Sequence, residues 1–144
     1  MRFFTSLISL LAIATTSVVA QSARIGAPPD LTQVAAGSSF TVMIERPDTL
    51  TPSTEMALAI GLTSCTVCLG PSQELGTILY GGEFDPAFTT EPGTNTLPPH
   101  QNFTLTVPAD FTQGPAQLGV AHFALVGASG GPLFQTFNIT LIIT

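Results

Sequence analysis

Apolar and polar residues alternate with a period of two along most of the chain, and Gly, Pro, Asn or Asp repeatedly interrupts the alternation. Successive side chains of a β-strand point to opposite faces, so this pattern is typical of strands with one buried face. Helical periodicity is confined to the first twenty residues. The sequence therefore predicts an all-β fold, a single antiparallel immunoglobulin- or fibronectin-like β-sandwich of about seven strands, at 31–34, 40–45, 55–63, 76–80, 102–107, 116–126 and 133–143.

The two clearest early strands show how the faces are assigned. The strand at 40–45 should end before Pro47, because proline has no N–H to donate to a neighbouring strand and restricts the residue before it. The next strand is predicted to bury one face, made of Met56, Leu58, Ile60 and Leu62. Its other face carries small residues, Ala57, Ala59 and Gly61.

The first twenty residues combine an early arginine, a short apolar run and an ending of small residues. This combination is typical of a cleaved secretory signal. The run is too short to cross a hydrocarbon layer about 30 Å thick, and no later stretch is longer, so no membrane span is predicted. We expect a signal peptide at 1–20 and one secreted, extracellular β-sandwich domain at 21–144.

Charge narrows the choice of partners. Lysine is absent, and in residues 21–144 two arginines, Arg24 and Arg46, oppose nine acidic residues, a net charge of −7. Phosphate binding needs clustered Lys and Arg, so a nucleic-acid partner is excluded.

Two Asn-x-Thr sequences, at Asn102 and Asn138, satisfy the acceptor pattern for N-glycosylation. Both asparagines fall on the polar side of an alternating strand, so both should face solvent. In a secreted chain we expect them to be glycosylated, although unmodified polar positions would give the same pattern.

Cys65 and Cys68 are the only cysteines, and three interpretations compete. A disulfide is the default in an oxidising compartment, and it requires a turn because two residues three apart on a strand lie about 10 Å from each other. A redox pair would need a helix start, which Leu69-Gly70-Pro71 blocks. A zinc site would need further ligands, with His100 and His122 as candidates. The disulfide is the favoured interpretation.

The remaining titratable residues do not form a catalytic set. His122 alternates in phase with apolar neighbours, so it is predicted to be a neutral core histidine hydrogen-bonded to backbone and not a catalytic group or a ligand. His100 is predicted to lie in a loop, and Glu83, Asp85 and Asp110 to be solvated turn carboxylates. No nucleophile elbow, phosphate loop or metalloprotease motif occurs. We therefore expect no enzyme activity, no cofactor and no bound metal.

The long segment 81–101 is rich in Pro, Thr and Gly and carries Phe84 and Phe88. Loops of this length are uncommon in small domains and are often functional. Exposed aromatic residues would suit a protein contact, whereas rings folded back would cover one end of the sandwich. Both alternatives remain open from the sequence.

Five segments resemble, in order and spacing, the fungal necrosis-inducing secreted protein family, the Nis-type effectors: Ala23-Arg24-Ile25, Phe40-Thr41-Val42 leading to Arg46-Pro47, LGTILY at 75–80, PPHQNFTLTVP at 98–108 and AHFALVGA at 121–128. The resemblance spans nearly all of residues 21–144. It implies a small effector of a plant-associated fungus that dampens pattern-triggered immunity by binding receptor-associated host kinases. It also implies that the protein provokes cell death when overproduced.

Two other functions compete with the effector interpretation. A carbohydrate-binding or structural cell-wall-associated β-sandwich module would usually stack sugars on exposed Trp or Tyr, but Trp is absent and Tyr80 is the one tyrosine. A purely structural secreted protein is the third possibility.

Overall fold

The described residues, 22–89 and 96–144 of a computed structural model, form eight β-strands. The strands are β1 (Arg24–Ala27), β2 (Thr32–Val34), β3 (Ser39–Glu45), β4 (Ser53–Ser64), β5 (Thr77–Gly82), β6 (His100–Thr106), β7 (Gly114–Val126) and β8 (Gly131–Ile143). Within these residues no helix has the length and apolar character needed to span a membrane. The predicted signal segment and the part of the long loop at 90–95 lie outside the described residues.

The strands form two sheets, which confirms the predicted all-β sandwich. One sheet has three strands in the order β1-β3-β6, and the other has five in the order β2-β8-β7-β4-β5. The sequence did not predict β1, a short strand with a register shift at Gly26 that breaks the alternation. It also did not predict that β2 pairs in parallel with β8, whereas the other strand pairs of the described residues are antiparallel.

The core lies between the sheets and is made of the residues that the alternation placed inward. The three-stranded sheet contributes Val42, Ile44, Phe103 and Leu105. The five-stranded sheet contributes Leu58, Ile60, Leu62, Leu118, Val120, Leu141 and Ile143. Burying each Leu, Ile or Val side chain contributes about 1.5–3 kcal/mol to folding.

A β-bulge in β4 changes which side chains point inward. Glu55 is opposite Ala124 and Ala57 is opposite Phe123, so Met56 is an extra residue without a partner. Met56 is 46% exposed, and its predicted place on the buried face is wrong. Because an extra residue reverses the alternation on one side of it, the bulge turns the Glu55 side chain into the sandwich.

The segment 65–76 between β4 and β5 begins with a Cys65–Cys68 disulfide whose Cα atoms are 5.3 Å apart, as the favoured interpretation predicted. The segment 65–76, which we call the disulfide loop, then folds over the outer face of the five-stranded sheet. A Cβ atom at Gly61 would lie 2.2 Å from the Leu75 carbonyl oxygen, and one at Gly119 would lie 2.9 Å from the Pro71 Cβ atom. The two glycines therefore allow this loop to lie directly on the sheet.

Candidate functional site

A cleft of about 540 Å³ opens at one end of the sandwich. Its walls come from the β3–β4 loop at 46–52 and from the start of the β5–β6 loop at 83–89, and its lining includes Arg46, Asp48, Thr49, Thr51, Ser53, Glu55, Phe84, Asp85 and Pro99. The backbone N–H of Arg46 donates to the Pro99 carbonyl oxygen at 2.7 Å, which ties the first loop to the segment preceding β6. We call this region, the cleft with its two loops, the cleft end.

A buried hydrogen-bonded network lies at the base of the cleft. Arg46 Nε donates to Glu55 Oε1 at 3.0 Å, and Ser53 Oγ donates to the same oxygen at 2.8 Å. His122 Nε2 donates to the other carboxylate oxygen, Oε2. The side chains of Arg46 and His122 are both buried, the second completely. We call these residues, together with Gln135, the Glu55 network.

Among the described residues, the ring of His122 is hydrogen-bonded to side chains and not to backbone atoms. Gln135 Oε1 accepts the Ala23 N–H at 3.1 Å, which identifies this atom as the amide oxygen, and it lies 3.3 Å from His122 Nδ1. The two ring nitrogens of His122 thus lie next to side-chain oxygens of Gln135 and Glu55. The predicted burial of His122 is confirmed. The predicted hydrogen bonding of the ring to backbone is wrong, because the bulge at Met56 and the β7–β8 pairing bring the side chains of Glu55 and Gln135 to it.

Glu55 is held ionised by this environment. Burial raises its pKa, but the hydrogen bonds from His122, Ser53 and Arg46, with the positive charge of His122, outweigh burial and lower the pKa to about 2. A carboxyl group with this pKa holds no proton to donate at neutral pH. The network therefore supplies a fixed carboxylate that joins β4, β7 and the β3–β4 loop.

The two aromatic contact candidates have different surroundings. Phe84 is 3% exposed, and its ring packs edge-on against His122 at 5.4 Å between centroids and against Phe103 at 6.4 Å. The proposal of Phe84 as a partner contact is wrong, because its ring closes the sandwich above the Glu55 network. Phe88 is 63% exposed and stays a candidate.

Leu50 is an exposed residue at the cleft end that the sequence analysis missed. It is a fully exposed side chain in the β3–β4 loop, between Thr49 and Thr51, which line the cleft. The signal that could have identified it is a single large apolar residue in an otherwise polar loop that contains two prolines.

Of the other predicted residues, Asp85 lines the cleft, and the rest lie away from its lining. Asn102 on β6 and Asn138 on β8 are both exposed, as predicted, and glycosylation of either stays a prediction. His100 begins β6 and is buried, with Nδ1 2.8 Å from the Pro98 carbonyl oxygen, so its predicted place in a loop is wrong. Glu83, Asp85 and Asp110 are exposed. In the described part of the chain no three His, Cys, Asp or Glu side chains are grouped so as to hold a metal ion.

Several solved structures are similar to this chain. A cellulose-active polysaccharide monooxygenase from M. thermophila is 14% identical, with a TM-score of 0.43, and the match covers 79% of this chain and 54% of that one. This chain thus spans about half the length of the monooxygenase. A superoxide reductase (neelaredoxin) from Ignicoccus hospitalis is 15% identical, with a TM-score of 0.42, and the match covers 83% of this chain and 80% of that one.

These structural similarities carry no argument about what the chain does. In sequence, no curated protein matches it. Residues 18–142 do match the sequence model of one family. The chain belongs to the Nis1 family.

Proposed function

We propose that the protein is a secreted effector that acts by binding a host protein through the cleft end, without catalytic turnover. Membership of the Nis1 family supports an effector-like secreted protein. One structural observation carries the choice of surface. Two loops that are far apart in sequence line one acidic cleft, and each also carries an exposed apolar side chain, Leu50 or Phe88, within two residues of the cleft lining.

Exposed side chains of this kind are suited to protein contact. Burying a large apolar or aromatic side chain in a partner's pocket provides much of the binding energy of an interface. Both loops are attached to a rigid base, because the Glu55 network links Arg46 at the start of one loop to β4 and β7, and Phe84 anchors the other loop in the core. The bases of the two loops are thus fixed before binding, which reduces the entropy lost on association.

The charge of the cleft end indicates the chemistry of the partner. Both arginines of residues 21–144 are engaged with carboxylates, since Arg24 Nε lies 2.5 Å from Glu45 Oε2 and Arg46 binds Glu55. Asp48 and Asp85 line the cleft without a basic side chain of this chain placed to balance them in the described residues. A partner with a basic patch would complement this surface and be steered towards it.

For the identity of the partner we extend the family resemblance. We propose that the cleft end binds receptor-associated kinases of a plant host, that this binding suppresses pattern-triggered immunity, and that excess protein provokes cell death. The Glu55 carboxylate is fully engaged by Arg46, Ser53 and His122 and stays charged, which supports a structural role for it beneath the cleft and not proton transfer.

Affinity capture from plant extract tests the proposal. Three glycosylated baits are compared: the unmodified protein, a variant with Leu50→Ala and Phe88→Ala, and a Leu69→Ala control, whose exposed side chain lies in the disulfide loop. We expect mass spectrometry to find receptor-associated kinases with the first and third baits and to lose them with the second. Equal capture by all three baits would overturn the choice of surface. Retention on chitin or glucan in place of kinases would favour the carbohydrate-binding alternative.

A further inference from the structure

The outer face of the five-stranded sheet carries a shallow apolar groove of about 190 Å³. Its floor is made of small side chains, Ala57, Ala59 and Ala121, and its rim includes Phe123 and Phe134. We call these five residues the outer groove. Phe134 is 66% exposed, so its ring offers an aromatic face to whatever lies along the groove.

The chain itself covers the neighbouring part of this face. At Gly61 and Gly119 the disulfide loop lies on the sheet through Leu75 and Pro71. This cover ends and the outer groove begins at Ala59 and Ala121, which are two residue pairs further along the strands and form the next pair on the outer face.

Asn138 lies on the same outer face, next to the groove. The pairing of β7 with β8 sets Asn138 opposite Gly119, Thr136 opposite Ala121, and Phe134 opposite Phe123. Asn138, Thr136 and Phe134 thus follow one another along the outer side of β8. With a rise of about 3.4 Å per residue, Asn138 and Phe134 are about 14 Å apart.

We propose that an N-linked oligosaccharide attached to Asn138 folds back along β8 and packs in the outer groove against Phe134. In the attachment step the carboxamide nitrogen of Asn138 loses a proton and bonds to the anomeric carbon of a lipid-linked oligosaccharide. The bond from that carbon to the lipid pyrophosphate breaks, and the pyrophosphate leaves with the electron pair. The sugars nearest Asn138 are N-acetylglucosamine residues, whose C–H faces and methyl groups are apolar.

The occupant fits the groove in chemistry and in position. The C–H face of a sugar ring packs on an aromatic ring, and the small floor residues leave room for it. Covalent attachment on the same face gives the sugar an effective concentration in the millimolar range, so even a weak contact is occupied. The inference does not depend on the cleft end or on any host partner.

Asn102 provides a matched control within the same molecule. It lies on the outer face of the three-stranded sheet, where its strand neighbour on that face is Thr104, opposite Thr41. Further along, Thr106 pairs with Ser39 through a hydrogen bond of 2.9 Å between their hydroxyl oxygens. Met43 lies directly opposite Asn102, and none of these strand neighbours is aromatic, so an oligosaccharide on Asn102 has no ring among them to pack against.

Glycan release from the native protein tests the proposal. The protein is produced in a eukaryotic secretory host, treated with an endoglycosidase without denaturation, and followed at each asparagine by mass spectrometry. We expect release from Asn138 to be severalfold slower than from Asn102. Phe134→Ala should remove the difference, whereas Leu69→Ala, which also removes an exposed apolar side chain, should preserve it.

An NMR measurement gives a second, independent result. Protons of the Asn138 glycan lying over the Phe134 ring should be shifted upfield by its ring current, and Phe134→Ala should abolish the shift. The proposal is overturned if Asn138 carries no glycan, if both sites release at the same rate, or if Phe134→Ala changes neither the release rate nor the glycan resonances.

Discussion

At the residue scale, Glu55 is the side chain that determines the structure of the candidate site. It is the acidic member of a buried set with Arg46, Ser53 and His122. The sequence could predict that His122 is buried, because its neighbours alternate regularly. It could not predict Glu55, because the bulge at Met56 reverses the alternation and no turn residue marks it.

Stability should depend on pH through Glu55. Its pKa in the folded protein, about 2, is below its ordinary value of 4.5, so the folded state binds the proton less readily than the unfolded chain. The stabilisation is therefore fully present above pH 4.5 and is lost as the pH falls towards about 2. We expect this loss to be about 3 kcal/mol, measured by urea unfolding at a series of pH values.

The Glu55→Gln variant provides the corresponding control. Removing one partner of a buried ion pair leaves the others uncompensated, so we expect about 3 kcal/mol less stability at neutral pH. The variant should also show a smaller loss of stability between pH 4.5 and 2. Glu74→Gln, at an exposed position, should behave like the unmodified protein. A pH profile of Glu55→Gln identical to that of the unmodified protein would contradict the assignment.

At the element scale, strong alternation located most of the strands, and local irregularities caused the errors. The segments 40–45, 116–126 and 133–143 are predicted correctly because one face of each is mostly apolar, with His122 and Gln135 as the polar exceptions. The short strand β1 is not predicted, because a register shift at Gly26 breaks its alternation of apolar and polar residues. The parallel pairing of β2 with β8 is set by tertiary packing, which the alternation within a three-residue strand does not encode.

The packing of the disulfide loop on β4 can be tested with one pair of glycines. Gly61→Ala would place a Cβ atom 2.2 Å from the backbone oxygen of Leu75, which must move, so we expect about 1–3 kcal/mol of destabilisation. Gly81→Ala is the matched change on the adjacent strand, where the nearest atom is the Ile78 Cγ2 atom at 4.0 Å. Thermal unfolding should show a lower midpoint for the first variant and little change for the second.

The disulfide should be a local stabiliser with no part in binding. The ring closed by Cys65 and Cys68 is small, so chain entropy gives it about 2 kcal/mol. We expect the double change Cys65→Ser and Cys68→Ser to lower the free energy of unfolding by about that amount. Kinase capture by this variant should be unchanged, and its loss would place the disulfide loop in the interface.

At the scale of the whole molecule, the cleft end is a product of the fold. Leu50 and Phe88 come from separate loops, and each resembles an ordinary loop residue until the sandwich brings the two loops to one cleft. The overall acidity and the absence of lysine are read directly from the sequence. The sequence could not predict that Arg24 and Arg46 would both be engaged by carboxylates, because that depends on strand register and on the bulge.

The acidic surface should make association sensitive to salt. If a basic partner is steered towards Asp48 and Asp85, its association rate constant should fall about tenfold or more between low salt and about 0.5 M salt. The dissociation rate constant should change much less, because apolar contacts hold the complex. Surface plasmon resonance with a captured kinase domain measures both constants. An association rate constant that is independent of salt would contradict electrostatic steering of the partner.

The most direct test is to measure the dissociation constant between the protein and a purified receptor-associated kinase domain. The unmodified protein is compared with the variant that carries Leu50→Ala and Phe88→Ala, and the thermal midpoint of each is recorded. Both side chains are exposed, so the midpoint should stay constant while binding weakens about 30-fold or more. An unchanged dissociation constant, with both samples folded, would contradict binding through the cleft end.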